Sequence, residues 1–321
     1  MTSSLPRVSI VTPSFNQAAY LEETIQSVLS QDYPNLEYII IDGGSTDGSV
    51  EIIKKYADRL AYWVSEKDAG QADGINKGLV RATGEVVAWL NSDDTYLGGA
   101  IETFLPGSIY SAVAALQANP DCGLVYGDVL AVDAAGQKLN LTRYEDWNLD
   151  DLLEFKIIGQ PAVFMRRSVL DEAGLLDTRF HFLLDHQLWI RMANLSGMKY
   201  VREQWAAARY HEAAKNVAQA ERFCSDADAL VAWVKSEPAL AERYQQLGKQ
   251  AKAGLAMFKA YYLSIGRMPV QALQAYGRAF LISPALAIKQ WRRILWTMGS
   301  LLGLDHIPGL ARRLNRGKAK E

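Results

Sequence analysis

Hydrophobic residues in the first ninety positions fall in short runs that alternate with helically spaced segments. "RVSIVT" (7–12) is continuous and β-branched, the pattern of a strand buried on both faces. "AAYLEETIQSVLS" (18–30) sets Leu21, Ile25, Val28 and Leu29 on one helical face. "LEYIIIDGG" (36–44) predicts a second buried strand, and "DGSVEIIKKYAD" (47–58) a second helix with Asp47 placed to cap it. "LAYWVSE" (60–66) predicts a short strand, "GQADGINKGLVRAT" (70–83) a helix and "EVVAWLNSDD" (85–94) a fourth strand. Three successive strand–helix alternations predict a parallel sheet flanked by helices, an α/β architecture. Ligands of such sheets bind beyond the carboxyl ends of the strands. Three of these strands end in polar, loop-prone residues, "TPSFN", "DGGSTDG" and "NSDD", which predicts that they converge on one crevice.

The pattern then becomes mixed. "GLVYGDVLAVDAAGQKL" (123–139) predicts a hairpin turning at "DAAGQ". "QPAVFMRRSVLDEAG" (160–174) predicts a strand followed by a helix that stops at Gly174, and "LLDHQLWIRMANLSG" (183–197) a helix. Beyond about residue 215 the chain turns rich in Ala, Gln, Lys and Leu at helical spacing. The expected division is therefore residues 1–215 and a helical appendage, 216–321. Within the appendage, "RMPVQALQAYGRAFLISPALA" (267–287) has the small-residue rhythm of a helical hairpin.

Composition narrows the class without naming it. The 321 residues are 49% hydrophobic and 22% charged, with a formal net charge of −2, which suits a soluble globular chain of one large or two smaller domains. Near-neutral charge argues against a nucleic-acid partner. The two cysteines, Cys122 and Cys224, are far apart and lack metal-ligand spacing. "MTSSLPRVSIVTPSFN" has no basic region leading into a long apolar run, and "ILWTMGSLLGL" (294–304) falls short of the roughly 20 residues that span a bilayer. The expected location is the cytoplasm.

Two motifs carry chemistry. Asn91-Ser92-Asp93-Asp94 reads either as a turn or helix cap, or as a hard-cation site. Adjacent carboxylates repel, and a divalent cation that takes one or two carboxylates plus substrate phosphates would relieve that repulsion. "DGGSTDGS" (42–49) reads either as a tight connection or as a loop whose amides approach a phosphate or base, with Asp42 at the strand terminus able to accept from a base imide or ribose. It matches neither the dinucleotide fingerprint nor the phosphate loop of kinases and ATPases.

The blocks "VSIVTPSFNQAAYLEETIQSVLSQDYPNLEYIIIDGGSTDGS", "WLNSDDTY", "GQPAVFMRRSVLDEAGLLD" and "LLDHQLWIRMA", in this order, resemble glycosyltransferase family 2 over roughly residues 6–215. The resemblance implies a GT-A fold and inverting transfer of a sugar from a nucleotide sugar to an acceptor hydroxyl, assisted by Mn²⁺ or Mg²⁺. It places Pro13, Phe15 and Asn16 in the first nucleotide-binding loop and Asp42 against the base. Asp93 becomes the direct metal ligand, with Asp94 beside it, and Asn91 stands where the family often has Asp for a ribose contact. Asp185 becomes the catalytic base, although Leu184 replaces a Glu and Gln187 a frequent Asp. In "EKDAGQADGINKG" (66–78), Ile75 precedes Asn76 where an Arg is usual, so the donor contact falls to Asp73, Asn76 or Lys77. His211 is either a surface histidine or, as in relatives, a group near the diphosphate and metal. His181 and His186 look peripheral. Asp185 also has a structural reading, a buried salt bridge.

The reaction asks for a base that takes the acceptor proton and a cation at the leaving diphosphate. Asp185 and the Asp93–Asp94 pair supply that minimum. The tail, 289–321, has eight Lys or Arg against two acidic residues, with Trp291 and Trp296 among apolar residues. It reads as an interfacial segment for an anionic membrane or as an amphipathic helix packed on protein. The expected acceptor is a cell-envelope glycan or a lipid-linked oligosaccharide. The rival reading is a non-catalytic nucleotide-sugar-binding or scaffold protein. A nucleotidyltransferase would need a Gly-rich loop with Arg and Lys near the N-terminus, which "TPSFNQ" lacks.

Overall fold

The computed structural model describes residues 5–98, 107–210 and 219–301. The chain divides into two compact units, one of residues 1–148 with 158–210 and one of residues 149–157 with 211–321.

In the first unit the strands are β1 (Val8–Ser14), β2 (Leu36–Asp42), β3 (Tyr62–Ser65), β4 (Val86–Trp89), β5 (Thr95–Tyr96), β6 (Cys122–Asp133), β7 (Lys138–Thr142), β8 (Val163–Arg166) and β9 (Gly197–Tyr210). Its helices are α1 (Ala18–Leu29), α2 (Ser49–Lys55), α3 (Gln71–Arg81), α4 (Ser108–Ala118), α6 (Arg167–Ala173) and α7 (Leu184–Leu195), with α5 (Leu149–Leu153) belonging to the second unit. Among the described residues nine strands form one sheet, ordered β3-β2-β1-β4-β8-β6-β9-β5, with β7 paired to β6. The β3-β2-β1-β4 half is parallel, as the strand–helix alternation predicts. β8 then runs antiparallel to both β4 and β6, and β9 parallel to β6, so the whole sheet is mixed.

Strands β1, β2 and β4 of the parallel half are buried because their sequences are largely apolar on both faces, and the edge strand β3 is half-buried. Every residue of β1 and β4 is buried. Helix α1 buries Leu21, Thr24, Ile25 and Val28 at three- and four-residue spacing. Helix α3 lies so close to β1 that a Cβ on Gly78 would sit 2.3 Å from Val11 Cγ1, so the spacing needs glycine there. The hairpin over 123–139 forms as β6 and β7, and Gly174, at φ +81°, ends α6. Strand β9 has no counterpart in the sequence reading. Its first half, "GMKYVREQ", is partly exposed and charged, and its buried residues, Trp205, Ala206, Ala207 and Arg209, all fall in the second half beside β6 and β5.

The second unit comprises α5, α8 (Ala220–Ser236), α9 (Pro238–Leu247), α10 (Lys249–Ile265), α11 (Pro269–Ile282), α12 (Pro284–Ile288) and α13 (Trp291–Leu301). Phe223 stacks on Tyr262 at 4.1 Å, and Phe258 packs against Phe155 at 5.3 Å. The expected hairpin within 267–287 does not form. Ser283 and Pro284 end one long helix there, and α11 pairs with α10 through Ala260, Ala275 and Tyr276. Among the described residues no helix is long and apolar enough to cross a membrane.

Candidate active site

The carboxyl ends of β1, β2 and β4 bring the three polar loops together. Asn16, at φ +52°, stitches the first two: its amide N–H donates to Ser45 Oγ at 2.8 Å, and its side-chain oxygen accepts from Thr46 N–H at 2.9 Å. Asp47 ties both helix starts to this point. Its carboxylate accepts from Ala18 N–H at the head of α1 and from Ser49 N–H and Oγ–H at the head of α2. Burial works against its ionisation, yet the bonds from Ser49 and Ala18 hold its pKa below the ordinary carboxylate value. Pro13 pairs with Ile41 inside the sheet, while Phe15 is 59% exposed on the loop above.

Asp42 is fully buried, and its carboxylate is occupied. Gly44 N–H, Ser45 N–H, Ser45 Oγ–H and Ser65 Oγ–H all donate to it, at 2.6–3.1 Å. Two carboxylate oxygens accept about four bonds, so a base contact here requires one serine hydroxyl to let go. Its primary work in this structure is to shape its own loop. Gly43 lies against Asp68, whose Oδ2 would sit 2.8 Å from a Cβ at that position.

Beyond β4, Asn91 is the hub of an amide network. Its oxygen accepts from Gln71 Nε2 at 2.9 Å, and its nitrogen donates to Gln160 Oε1 at 3.1 Å and Asp94 Oδ2 at 3.3 Å. Gln160 in turn donates to the Trp89 carbonyl at 2.7 Å. An amide can donate to Asp94 where a carboxylate would repel it, which gives Asn91 a physical reason to stand at this position.

Asp94 is buried and Asp93 half-buried. The Asp94 carbonyl accepts from Thr24 Oγ–H at 2.7 Å, and its Oδ1 accepts from Arg209 N–H at 3.0 Å. Burial and then the neighbouring Asp93 charge push the Asp94 pKa well above the carboxylate range, against the Arg209 amide, Asn91 and the Arg209 charge. The buried Arg209 side chain is the protein's own cation at this turn. Its guanidinium donates to the carbonyls of Asp93, Ala134 and Asp133 at 3.1–3.4 Å, pairs with Glu23, and lies 4.9 Å from the Tyr20 ring.

Asp185 occupies the first turn of α7, half-buried. Among the described residues it forms no salt bridge, so the structural reading of this residue finds no partner; its Oδ1 accepts from His186 N–H at 2.7 Å. Desolvation raises its pKa from 3.8 to about 6, outweighing the backbone hydrogen bonds. One turn further on, Trp189 stacks on Trp89 of β4 at 5.2 Å, both fully buried. That stack anchors the helix carrying Asp185 to the strand that leads into Asn91–Asp94. His186 is fully buried in the core.

Two of the residues expected at the donor, Asn76 and Asp73, also have partners within the protein. Asn76 bonds both ways to Leu176, donating to that carbonyl at 2.8 Å and accepting from that N–H at 3.0 Å. It is therefore a clamp between α3 and the loop after α6. Asp73 accepts from Ala69 N–H at 3.0 Å and pairs with Lys77 at 3.3 Å, and these hold its pKa down. Both residues line a cavity of about 530 Å³ between β3 and α3, with Tyr62, Val64, Lys77 and Arg81. The link from α3 to the Asn91 turn is Gln71 instead. Gln71, Gln160 and Arg209 are absent from the sequence reading because their roles come from partners 20 to 186 residues away.

Among the described residues no group of three or more His, Cys, Asp or Glu side chains is placed to hold a metal ion. His211 lies outside the described residues. The oxygen donors of Asp93 and Asp94 do suit a hard cation that completes its shell with phosphate and water.

The Glycosyl transferase family 2 model matches residues 9–172. An uncharacterized glycosyltransferase of Rickettsia typhi is 30% identical over 65% of each chain. A putative teichuronic acid biosynthesis glycosyltransferase of Bacillus subtilis is 42% identical over 32% of this chain and 42% of its own length. The chain thus spans less than two-thirds of the length of these relatives. Among solved structures, S. aureus TarS 1–349 in complex with UDP-GlcNAc superposes with a TM-score of 0.60 at 16% identity, covering 93% of this chain and 88% of that one. The mannosyltransferase PcManGT from Pyrobaculum calidifontis, in complex with GDP-Man and Mn²⁺, gives a TM-score of 0.60 at 20% identity over 95% and 88%. The mixed sheet with flanking helices is similar to that of GT-A glycosyltransferases. With just over half of its length matched to the family and its sheet arranged in this way, the chain belongs to glycosyl transferase family 2.

Proposed function

We propose that this protein transfers a sugar, with inversion, from a UDP-linked donor to an acceptor hydroxyl of a cell-envelope glycan or lipid-linked oligosaccharide. The observation that carries the reading is Asp185: a half-buried carboxylate with its pKa raised to about 6, on a helix pinned by Trp189 to the strand that ends at Asn91–Asp94. A general base works best when its pKa lies near the operating pH. In the reaction Asp185 takes the acceptor hydroxyl proton as that oxygen bonds the anomeric carbon, while the bond to the nucleoside diphosphate breaks on the opposite face.

Asp93, with Asp94 behind it and His211 as a further ligand, would hold Mn²⁺ or Mg²⁺, which would neutralise the charge developing on the leaving diphosphate. Phe15 and Asn16 form the donor loop, shaped by Asp42. Neighbours crystallised with UDP-GlcNAc, and with GDP-Man and Mn²⁺, support a nucleotide-sugar donor and a divalent cation. The Bacillus relative supports an envelope polymer as product. The reading places the protein at the inner face of the cytoplasmic membrane, with residues 289–321 toward an anionic surface.

The rival reading, a nucleotide-sugar-binding scaffold, rests on Asn91 and Leu184, which replace family carboxylates. The deciding experiment is hydrolysis and transfer over a panel of UDP- and GDP-sugars with and without Mn²⁺, for wild type and Asp93→Ala. Turnover that needs both the cation and Asp93 supports the transferase. Donor binding without turnover supports the scaffold. The anomeric configuration of the product, read by NMR, tests inversion.

A further inference from the structure

The second unit holds an unusual combination of charge and exposure. From Arg243 to Leu304 the sequence has no Asp or Glu, yet it carries nine Lys or Arg. Within 265–301 the cations are Arg267, Arg278, Lys289, Arg292 and Arg293. Among the described residues none of these five forms an ion pair with a carboxylate; Arg292 and Arg293 lie over the rings of Trp291 and Tyr261 instead. Exposed large apolar side chains concentrate in the same stretch. Leu281 is 85% exposed, Ile288 58%, Trp291 51%, and Leu295 and Met298 49% each.

These side chains form a face. At 3.6 residues per turn, Trp291, Leu295 and Met298 of α13 project within an arc of about 60°, and Ile288 ends α12 just before it. An adjoining side of α13 faces protein: Ile294 packs against the Ala260–Tyr276 cluster, and Thr297 is buried and bonded to Ser264 Oγ at 2.7 Å. Arg292 follows on the flank of the apolar arc, and Lys289 lies in the turn just before α13. The helix thus packs along Ile294 and Thr297 and exposes beside them a stripe of apolar residues edged by Arg292.

We infer that this stripe docks in the interface of an anionic lipid bilayer, lying in its plane without crossing it. The inference deepens the membrane placement proposed above and rests on that placement. It narrows the contact within residues 289–321 to the Trp291–Met298 face. Charge selects the occupant. A second copy would bring two acid-free cationic faces together with no carboxylate to pair them. The chain's last twenty residues, with five cations against two acids, are equally ill suited to cover it. A nucleic acid would leave the aliphatic stripe in water. An interface of acyl chains under anionic headgroups satisfies both the apolar arc and the flanking cations.

The test is flotation of the full-length protein with vesicles of phosphatidylcholine alone and of phosphatidylcholine with phosphatidylglycerol, alongside donor hydrolysis in vesicle-free solution. The expected result is binding to the anionic vesicles only, weakening as salt rises. The triple variant Trp291→Ser, Leu295→Ser, Met298→Ser should bind at least tenfold more weakly. Lys289→Gln with Arg292→Gln should lose roughly fivefold per cation. All five side chains are exposed, so both variants should keep the wild-type far-UV spectrum and hydrolysis rate. Wild-type protein that ignores anionic vesicles, a dimer whose assembly the triple variant abolishes, or a triple variant that binds as well as wild type would each overturn the docking. Vesicle binding with no donor turnover leaves the docking in place and counts against the transferase; turnover without vesicle binding does the reverse.

Discussion

Replacing Asp185 with Asn separates catalysis from folding, because the proposed mechanism and the desolvation of this carboxylate call for opposite effects on the two. On folding, desolvation raises its pKa from 3.8 to about 6. At about 1.4 kcal/mol for each tenfold change in proton affinity, that difference is worth roughly 3 kcal/mol. Between pH 3.8 and about 6 the native state binds this proton more tightly than the unfolded chain. The contribution therefore favours the native state as pH falls through about 6, and above that value the ionised carboxylate is a cost. Asp185→Asn removes the cost. The variant is expected to be more stable than wild type at pH 7.5 by up to about 3 kcal/mol, with the gain vanishing near pH 4, measured by urea unfolding across the range.

Activity should move the other way. Losing a positioned base costs about 10²–10⁴-fold in kcat, while donor affinity, read by calorimetry, stays within about twofold because no donor contact is removed. In wild type, kcat/KM should climb about tenfold from pH 5 to pH 7 and level off above the base's pKa. A variant that transfers sugar at the wild-type rate, or one that is less stable at pH 7.5, would refute the reasoning; so would a collapse of donor affinity with kcat intact.

Three further outcomes follow from other parts of the first unit. Glu37 is buried at the far end of the sheet, where burial opposes its ionisation but Ser9, Thr83 and Arg7 together lower its pKa; the stability it supplies is present above its unfolded value of 4.5 and lost as pH falls below it, and Glu37→Gln should flatten that acid limb in thermal scans while costing about 1–3 kcal/mol at pH 7. Trp189→Ala breaks the stack on Trp89 and should cost about 3–5 kcal/mol in denaturant unfolding, with Trp189→Phe recovering part of it. Asn91→Asp would set a carboxylate against the acceptor atoms of Gln160 and Asp94, costing about 1–3 kcal/mol; Mn²⁺ should restore part of its melting temperature, and a variant more stable than wild type without metal would contradict the network.

The sequence by itself determined the parallel half of the sheet. Apolar runs such as "RVSIVT" and "LEYIIID" are long enough to be buried on both faces, and the helices between them bury residues at three- and four-residue spacing, so local pattern and final burial agree. It also determined that Pro13, Asn16, Asp42 and Asn91–Asp94 lie at strand ends, because polar residues that interrupt such runs have nowhere else to go. Strand β9 was not legible: its charged first half carries no alternation, and it becomes a strand only by pairing with β6 and β5. Tertiary structure alone set the partners of the site's polar groups. Arg209 reaches Asp94, Asp133 and Glu23 from the far end of the unit, Gln71 and Gln160 converge on Asn91, and Asn76 bonds both ways to Leu176. Hydrogen bonds act over about 3 Å regardless of separation along the chain. Which acceptors are already satisfied, and which carboxylate stands desolvated without a cation, is therefore decided only when the fold has closed.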